Sequence, residues 1–331
     1  MTQAPPIRGM VGSHLSVAGG MHLAISEALR LGLDCIQVFT RNQRQWNAAP
    51  LTAEAIKSWN DARLAAGWDD LPQRVVSHNS YLVNLASPDA AARKRSIALE
   101  RDELERCEML GIAYSVAHPG AHLGAARAPR SPNLLRSPPS ADEVAGLRRI
   151  ATSLDAIHKS LPGYRVRVCI ETTTGSGTNL GYDFAHLSRI RELVAAPERI
   201  GFCFDTCHVV SAGYDMSTTA AATATLEEFS KLCGKERLNV IHVNDSKSPP
   251  GSRADRHEHI GLGTCSIECF QTIMRDADLP LVPKILETAK ESDEHGQPWD
   301  AVNAERLRTM LRVARRAERR RKVSDTEKEL A

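Results

Sequence analysis

The sequence has no apolar run of membrane-spanning length, and its opening residues, MTQAPPIRGMVGSHLS, lack the charged-then-apolar order of an export signal. These absences predict a soluble intracellular protein, in the cytoplasm and nucleoid of a bacterium or the nucleus of a eukaryote, with no membrane partner. A strong charge bias is missing as well. The 42 basic and 40 acidic residues leave a net charge of +2, too little to announce a polyanion partner, although a local basic groove would not raise the total much. There is no disulfide framework: Cys35, Cys107, Cys169, Cys203, Cys207, Cys233, Cys265 and Cys269 are scattered through apparent strands and helices, and no second thiol pair follows Cys265 and Cys269. Buried, reduced thiols are the expectation. Finally, no GxGxxG follows the first strand, which argues against a dinucleotide-binding sheet.

What is present is enough apolar sequence, 42% of residues, to fill a large core. Eight β-like runs recur: MVGSHLS, CIQVFT, RVVSHN, YSVAHP, VRVCIET, IGFCFDT, LNVIHVND and VPKILET. Helical spacing lies between them, near residues 21–31, 53–65, 89–110, 142–160, 183–194 and 218–232. Strand then helix, repeated eight times, predicts an α/β fold, a (β/α)8 TIM barrel in a single domain over residues 8–318. The Pro-, Ser- and Arg-rich stretch at about 125–141 reads as an inserted surface loop, and residues 319–331 as a charged tail. Between Arg306 and Lys322 the sequence reads as a basic helix whose leading part could close the barrel and whose remainder could be a solvated arm, a DNA contact or a nuclear-import signal. With no coiled-coil heptad in view, a monomer is expected.

The ends of the β-like runs carry His14, Thr40, His78, His118, Glu171, Asp205, His242 and Glu287, so seven of the eight close on a His or a carboxylate. In a parallel barrel those ends meet on one face, where the active site is built. Adding neighbours in the loops gives nine candidate metal ligands: His78, His118, Glu171, Asp205, His208, His242, Asp255, His257 and Glu287. Imidazole and carboxylate donors without thiolates suit catalytic zinc, manganese or iron, and a set this large exceeds one tetrahedral ion. In DTCH, Asp205 and His208 can face one mouth from a strand-to-helix turn. In DRH, Asp255 and His257 can share one side of an extended segment. Such a cluster suits phosphodiester hydrolysis, in which charge develops on the phosphorus oxygens and on the departing oxygen.

The segments FTRNQRQW (39–46), HNSYLVNLASP (78–88), HPGAHLG (118–124), NLGYDFAHL (179–187), CFDTCHVVSAGYD (203–215), IHVNDSKSPPGSRADRHEHIGLG (241–263) and ILET (285–288) closely resemble the endonuclease IV family of apurinic/apyrimidinic endonucleases. The resemblance implies three Zn2+ ions: His78, His118 and a bridging Glu171 around the first; Glu171, Asp205, His242 and Glu287 around the second; His208, Asp255 and His257 around the third. It marks Glu171 as the residue that orients the nucleophilic water. The implied substrate is double-stranded DNA carrying abasic sites or blocked 3′ ends, cut to leave a 3′ hydroxyl and a 5′ deoxyribose phosphate. Arg44, Tyr81 and Leu82 stand where the family's loops enter the minor groove, Tyr81 and Leu82 as wedges in the stack and Arg44, beside Arg41, tracking phosphates.

Asn79, the TTTGSG stretch after Glu171, and Leu262 depart from the usual pattern, none of them among the nine ligands. Two other readings stay open. A sugar isomerase or epimerase on the same barrel would need about four ligands and an acid–base pair, not the additional DTCH and DRH donors. A non-catalytic damaged-DNA-binding protein would have no reason to keep the ligand set whole.

Overall fold

The computed structural model describes residues 9–125 and 135–311. Polar residues at the heads of the helical stretches start most of the helices. Thr52, Asp89, Asp183, Thr218 and Ser266 each accept a backbone N–H from the first turn of α2 (Ala53–Ala65), α3 (Ala90–Met109), α5 (Phe184–Leu193), α7 (Thr219–Cys233) and α8 (Ile267–Arg275). At α4 (Ala141–Ser160) the cap is reciprocal: Ser140 Oγ accepts from Glu143 N at 3.3 Å while Glu143 Oε2 accepts from Ser140 N at 2.6 Å. The first helix, α1, runs from Met21 to Arg30 after Gly20. Helical backbone also covers residues 299–311, seven residues ahead of the expected start of the basic helix; residues beyond 311, with the charged tail, lie outside the described residues.

Eight short strands separate these helices: β1 (Val11–His14), β2 (Cys35–Val38), β3 (Val75–His78), β4 (Tyr114–Ala117), β5 (Arg167–Glu171), β6 (Ile200–Asp205), β7 (Leu238–His242) and β10 (Lys284–Leu286). All pair in parallel and in chain order, and β10 returns to β1 with Val11 opposite Lys284 and Ser13 opposite Leu286, so the sheet closes as the expected (β/α)8 barrel. The closing seam is polar on its outer side. Ser13 Oγ donates to Asp300 Oδ1 at 2.7 Å and accepts from Lys290 Nζ at 2.6 Å.

Side chains alternate across each strand. One set (Cys35, Val76, Val116, Cys169, Cys203, Val240 and Ile285, with Met10) forms a small core of its own, separate from the larger one between strands and helices. This is the filling of the barrel's interior. β1 offers Gly12 at this level, where an added Cβ would lie 2.0 Å from the Cys35 carbonyl oxygen, so only glycine fits. Two residues further along each strand the same inward face meets the barrel mouth. That step of two leads from Gly12, Cys35, Val76, Val116, Cys169, Cys203, Val240 and Ile285 to His14, Gln37, His78, His118, Glu171, Asp205, His242 and Glu287.

Four elements, two helices and two short strands, go beyond the sequence expectation. A seven-residue helix, α6 (Thr206–Ala212), follows β6 at once and is capped by Asp205, whose Oδ1 accepts from His208 N at 2.8 Å. After β7 the chain forms a two-stranded antiparallel ladder, β8 (Asp245–Ser246) with β9 (His257–Glu258). The nine-residue α8 was also not anticipated, although Cys269, Phe270, Ile273 and Met274 set a clear apolar face along it. All eight cysteines are unpaired and buried, as expected. No described helix is long and apolar enough to cross a membrane. Of the inserted loop, residues 126–134 lie outside the described residues, while Arg136 at its far end forms an ion pair with Glu228.

Candidate metal centre

Glu171 ends β5 at the centre of the mouth and is fully buried. Its Oε2 lies 3.0 Å from His118 Nε2 and 3.4 Å from His78 Nε2. Its Oε1 lies 2.8 Å from His242 Nδ1 and 3.3 Å from His208 Nδ1. Around His242 Nδ1 stand Glu287 Oε2 at 3.2 Å and Asp205 Oδ2 at 3.7 Å. On the far side Asp255 Oδ1 is 3.2 Å from His208 Nε2 and 3.3 Å from His257 Nε2. Among the described residues five groupings of donor atoms converge; two bring in Cys203 or Cys207, and the three built from nitrogen and oxygen alone are His78, His118 and Glu171; Glu171, Asp205, His242 and Glu287; and His208, Asp255 and His257.

The chemistry of these donors fits metal binding. His208 Nε2 and His257 Nε2 are buried and make no aligned hydrogen bond, although both lie close to Asp255 Oδ1. Atoms arranged this way point at a position between them, not at each other. The remaining ring nitrogens are pinned from behind: His78 Nδ1 donates to Asn79 O at 2.8 Å, His208 Nδ1 to Thr172 O at 2.8 Å and His257 Nδ1 to Glu287 O at 3.3 Å. Each bond leaves Nε2 with its lone pair toward the centre.

Electrostatics agree. Burial opposes the charge on Glu171, but His242 and His118, then the His118 and His208 hydrogen bonds, outweigh it and hold the carboxyl well below its ordinary range. Glu287 is held low against burial in the same way, chiefly by His242 and His14. Burial opposes a charge on His242 too, yet Glu287, Glu171 and Asp205 raise it to about 9. Partial desolvation opposes the charge on Asp255, half-exposed at the rim, yet His208, His257 and His118 lower it to about 2. Four carboxylates thus create a buried field that favours cations between them.

The family described as "Xylose isomerase-like TIM barrel" matches residues 25–313. The "Probable endonuclease 4" of Geobacter sulfurreducens is 39% identical over 302 residues, covering 91% of this chain and 94% of the relative; that of Chloroflexus aggregans is 38% identical over 302 residues, covering 91% and 98%. The chain belongs to the endonuclease IV family. The crystal structure of endonuclease IV from Thermus thermophilus superposes with a TM-score of 0.74 at 30% identity, covering 92% of this chain and 99% of that one. A D-tagatose 3-epimerase-like protein, at 18% identity and a TM-score of 0.66, shares the fold alone.

As an endonuclease IV family member the chain is a metal-dependent nuclease, and the remaining residues can be placed on it. Tyr81 is 60% exposed above the first donor set, its ring 5.3 Å from that of His78, 5.8 Å from that of His118 and edge-on to Phe39 at 5.9 Å. Leu82 is half-buried and packs on the main core. Arg44 is exposed on the loop after β2. Arg41 is not its exposed companion: it is buried, pairs with Asp102 at 2.5 Å and donates to Gln45 O at 2.9 Å. It anchors the loop to α3 and is not available to phosphates.

Thr40, the one polar exception among the expected strand ends, is not at the mouth either. It donates to Glu103 on α3 at 2.7 Å, because β2 stops at Val38 and its inward residue is Gln37. Three mouth residues were missing from the nine. His14 lies 3.4 Å from Glu287 Oε1, Gln37 donates to the same atom at 2.6 Å, and Asn244 donates to Asp205 Oδ2 at 2.7 Å while accepting Glu287 N at 2.8 Å. Counting by two from Cys35 would have found Gln37. Among the departures, Asn79 donates to Glu100 at 2.8 Å, Thr172 accepts from Asp205 N at 2.9 Å, and Leu262 is exposed.

Proposed function

We propose that this endonuclease is a zinc-dependent apurinic/apyrimidinic endodeoxyribonuclease of base excision repair. It hydrolyses the phosphodiester 5′ to an abasic site in double-stranded DNA, leaves a 3′ hydroxyl and a 5′ deoxyribose phosphate, trims blocked 3′ ends, and acts as an intracellular monomer. The observation that carries the reading is the convergence of nine nitrogen and oxygen donors in three sets, two of them sharing Glu171. Three Zn2+ ions suit these donors, and Mn2+ or Fe2+ suits some of the same positions.

The ions supply charge neutralisation at the scissile phosphate and a water made acidic enough to attack at neutral pH. The protein's own side chains do the rest. Glu171, buried and ionised, orients the attacking water with a carboxylate whose two oxygens each lie against two imidazoles. His78, His208 and His257 are each held by a backbone carbonyl in the tautomer whose Nε2 lone pair faces the metal positions. Tyr81 stands at the mouth where a missing base leaves a gap in the stack, with Leu82 behind it, and Arg44 follows the backbone. Intact stacked DNA offers no such gap, which is the basis for selecting abasic sites.

The test is a duplex with one tetrahydrofuran abasic analogue. Zinc-replete protein cuts that strand once, on the 5′ side, and leaves an end that a polymerase extends. A protein that binds the duplex and leaves it whole is not the enzyme described. Metal analysis separates the isomerase reading, for which about one ion per chain is expected.

A further inference from the structure

Gln37 is fully buried on β2, two residues along the inward face from Cys35, and no family motif quoted above includes it. Every polar atom of its side chain is engaged. Nε2 lies 2.6 Å from Glu287 Oε1 and 3.0 Å from His14 Nδ1, and Oε1 lies 2.8 Å from His242 Nε2. A carboxylate oxygen can only accept, so the amide must turn its NH2 toward Glu287, and its carbonyl oxygen then faces His242. His242 therefore keeps a hydrogen on Nε2. Its Nδ1, hydrogen-bonded to Glu171 Oε1 at 2.8 Å and 3.2 Å from Glu287 Oε2, is the nitrogen that faces the second donor set and would give up its proton to bind an ion there. The same amide occupies Glu287 Oε1, so Oε2 is the oxygen that turns inward. The second N–H of the amide meets His14 Nδ1.

We propose that Gln37 is a positioning residue of the metal centre, one amide that fixes both the tautomer of His242 and the carboxylate orientation of Glu287. The proposal rests on the reading that these donors hold zinc. Gln37 is buried beneath the ligands, so it touches neither substrate nor reacting atoms. Its effect passes through two ligands at once, and partners of this kind commonly alter metal affinity by about 10- to 100-fold.

The experiment uses the full chain and its Gln37→Met variant, which keeps the volume and removes all three hydrogen bonds. Zinc affinity is measured by competition with a chromophoric chelator, and kcat and KM on the tetrahydrofuran duplex at saturating zinc. The expected result is a zinc Kd raised about 10- to 100-fold at the weakest site, a lower kcat and an unchanged KM. Unchanged zinc affinity and kcat with only a lowered thermal midpoint of the metal-free variant would mean a merely structural residue, and would overturn the proposal. Should the variant not fold, long-range 1H–15N spectra of the unsubstituted zinc protein decide: His242 protonated on Nε2 supports the proposal, and protonation on Nδ1 refutes it. An unsubstituted protein that takes up no zinc removes the underlying reading and this inference with it. One that takes up zinc and cuts, beside a Gln37→Met variant equal in both, removes this inference alone.

Discussion

Glu100, which lies behind the first donor set through Asn79, makes a quantitative prediction possible. It sits on α3 with no exposed surface, Oε2 accepting from Asn79 Nδ2 at 2.8 Å and Oε1 without a hydrogen bond among the described residues. Burial raises its carboxyl from 4.5 to about 7, against the smaller opposing effects of the Asn79 bond and His78. Unfolding returns the group to its ordinary value, so between these two values the native state holds the extra proton, and stability falls as pH rises through about 7. At about 1.4 kcal/mol per pH unit, the ionised carboxylate costs the fold about 3 kcal/mol above that range. Glu100→Gln keeps an acceptor for Asn79 and removes the ionisation. The variant should be about 3 kcal/mol more stable than the parent near pH 8 and within about 1 kcal/mol of it near pH 5. Urea unfolding of both metal-loaded proteins at the two pH values measures this, because titrations common to both cancel in the double difference. A gain of the same size at both pH values, or no gain, would refute the assignment of a buried, mostly neutral carboxyl.

The other predictions concern the site and its supports. Glu171→Gln should abolish cleavage of an abasic duplex while leaving the far-ultraviolet circular dichroism spectrum intact, and retained turnover would contradict its role. Asp255→Ala should lower bound zinc by about one ion per chain in elemental analysis, since Asp255 is common to His208 and His257; full zinc content would remove the third set. Tyr81→Ala should weaken binding to an abasic duplex more than to an intact one, and equal losses in a fluorescence titration would dismiss the wedge. Arg106 donates to Asp102 at 2.9 Å and to Ala49 O at 2.6 Å, so Arg106→Ala should cost about 2 kcal/mol in urea unfolding and raise KM as the loop after β2 loosens. Unchanged stability would show that the loop is held by other means.

The barrel was legible because its signal repeats. Each strand pairs β-branched or small apolar residues with a polar terminus, and the helices between carry caps such as Ser140 with Glu143 that mark their starts. The metal donors were legible for a related reason, since a His or carboxylate closing a short apolar run has no packing use. Gln37 was not, because a neutral amide inside CIQV looks like a strand residue and because Phe39 and Thr40 extended the run past its true end. Arg41 and Arg44 look alike in sequence; only the acidic face of α3, Asp102 and Glu103, separates a buried anchor from an exposed cation. The β8–β9 ladder was hidden in a Pro- and Gly-rich segment, where pairing depends on Asp245 gathering the backbone N–H groups of Gly261, Gly263 and Cys265.

The seam between β1 and β10 has a consequence for how the chain is made. Ser13 finds Asp300 across 287 residues and Lys290 across 277, so the two sides of this seam are synthesised far apart in time. Until the final strand emerges, β1 carries an unpaired edge and a growing sheet stays open beside it. His14 and Gln37 wait through that interval without Glu287. A chain lacking β10 would hold seven of the eight barrel strands and still lack Glu287, so the strand that closes the sheet is also the one that completes the second donor set.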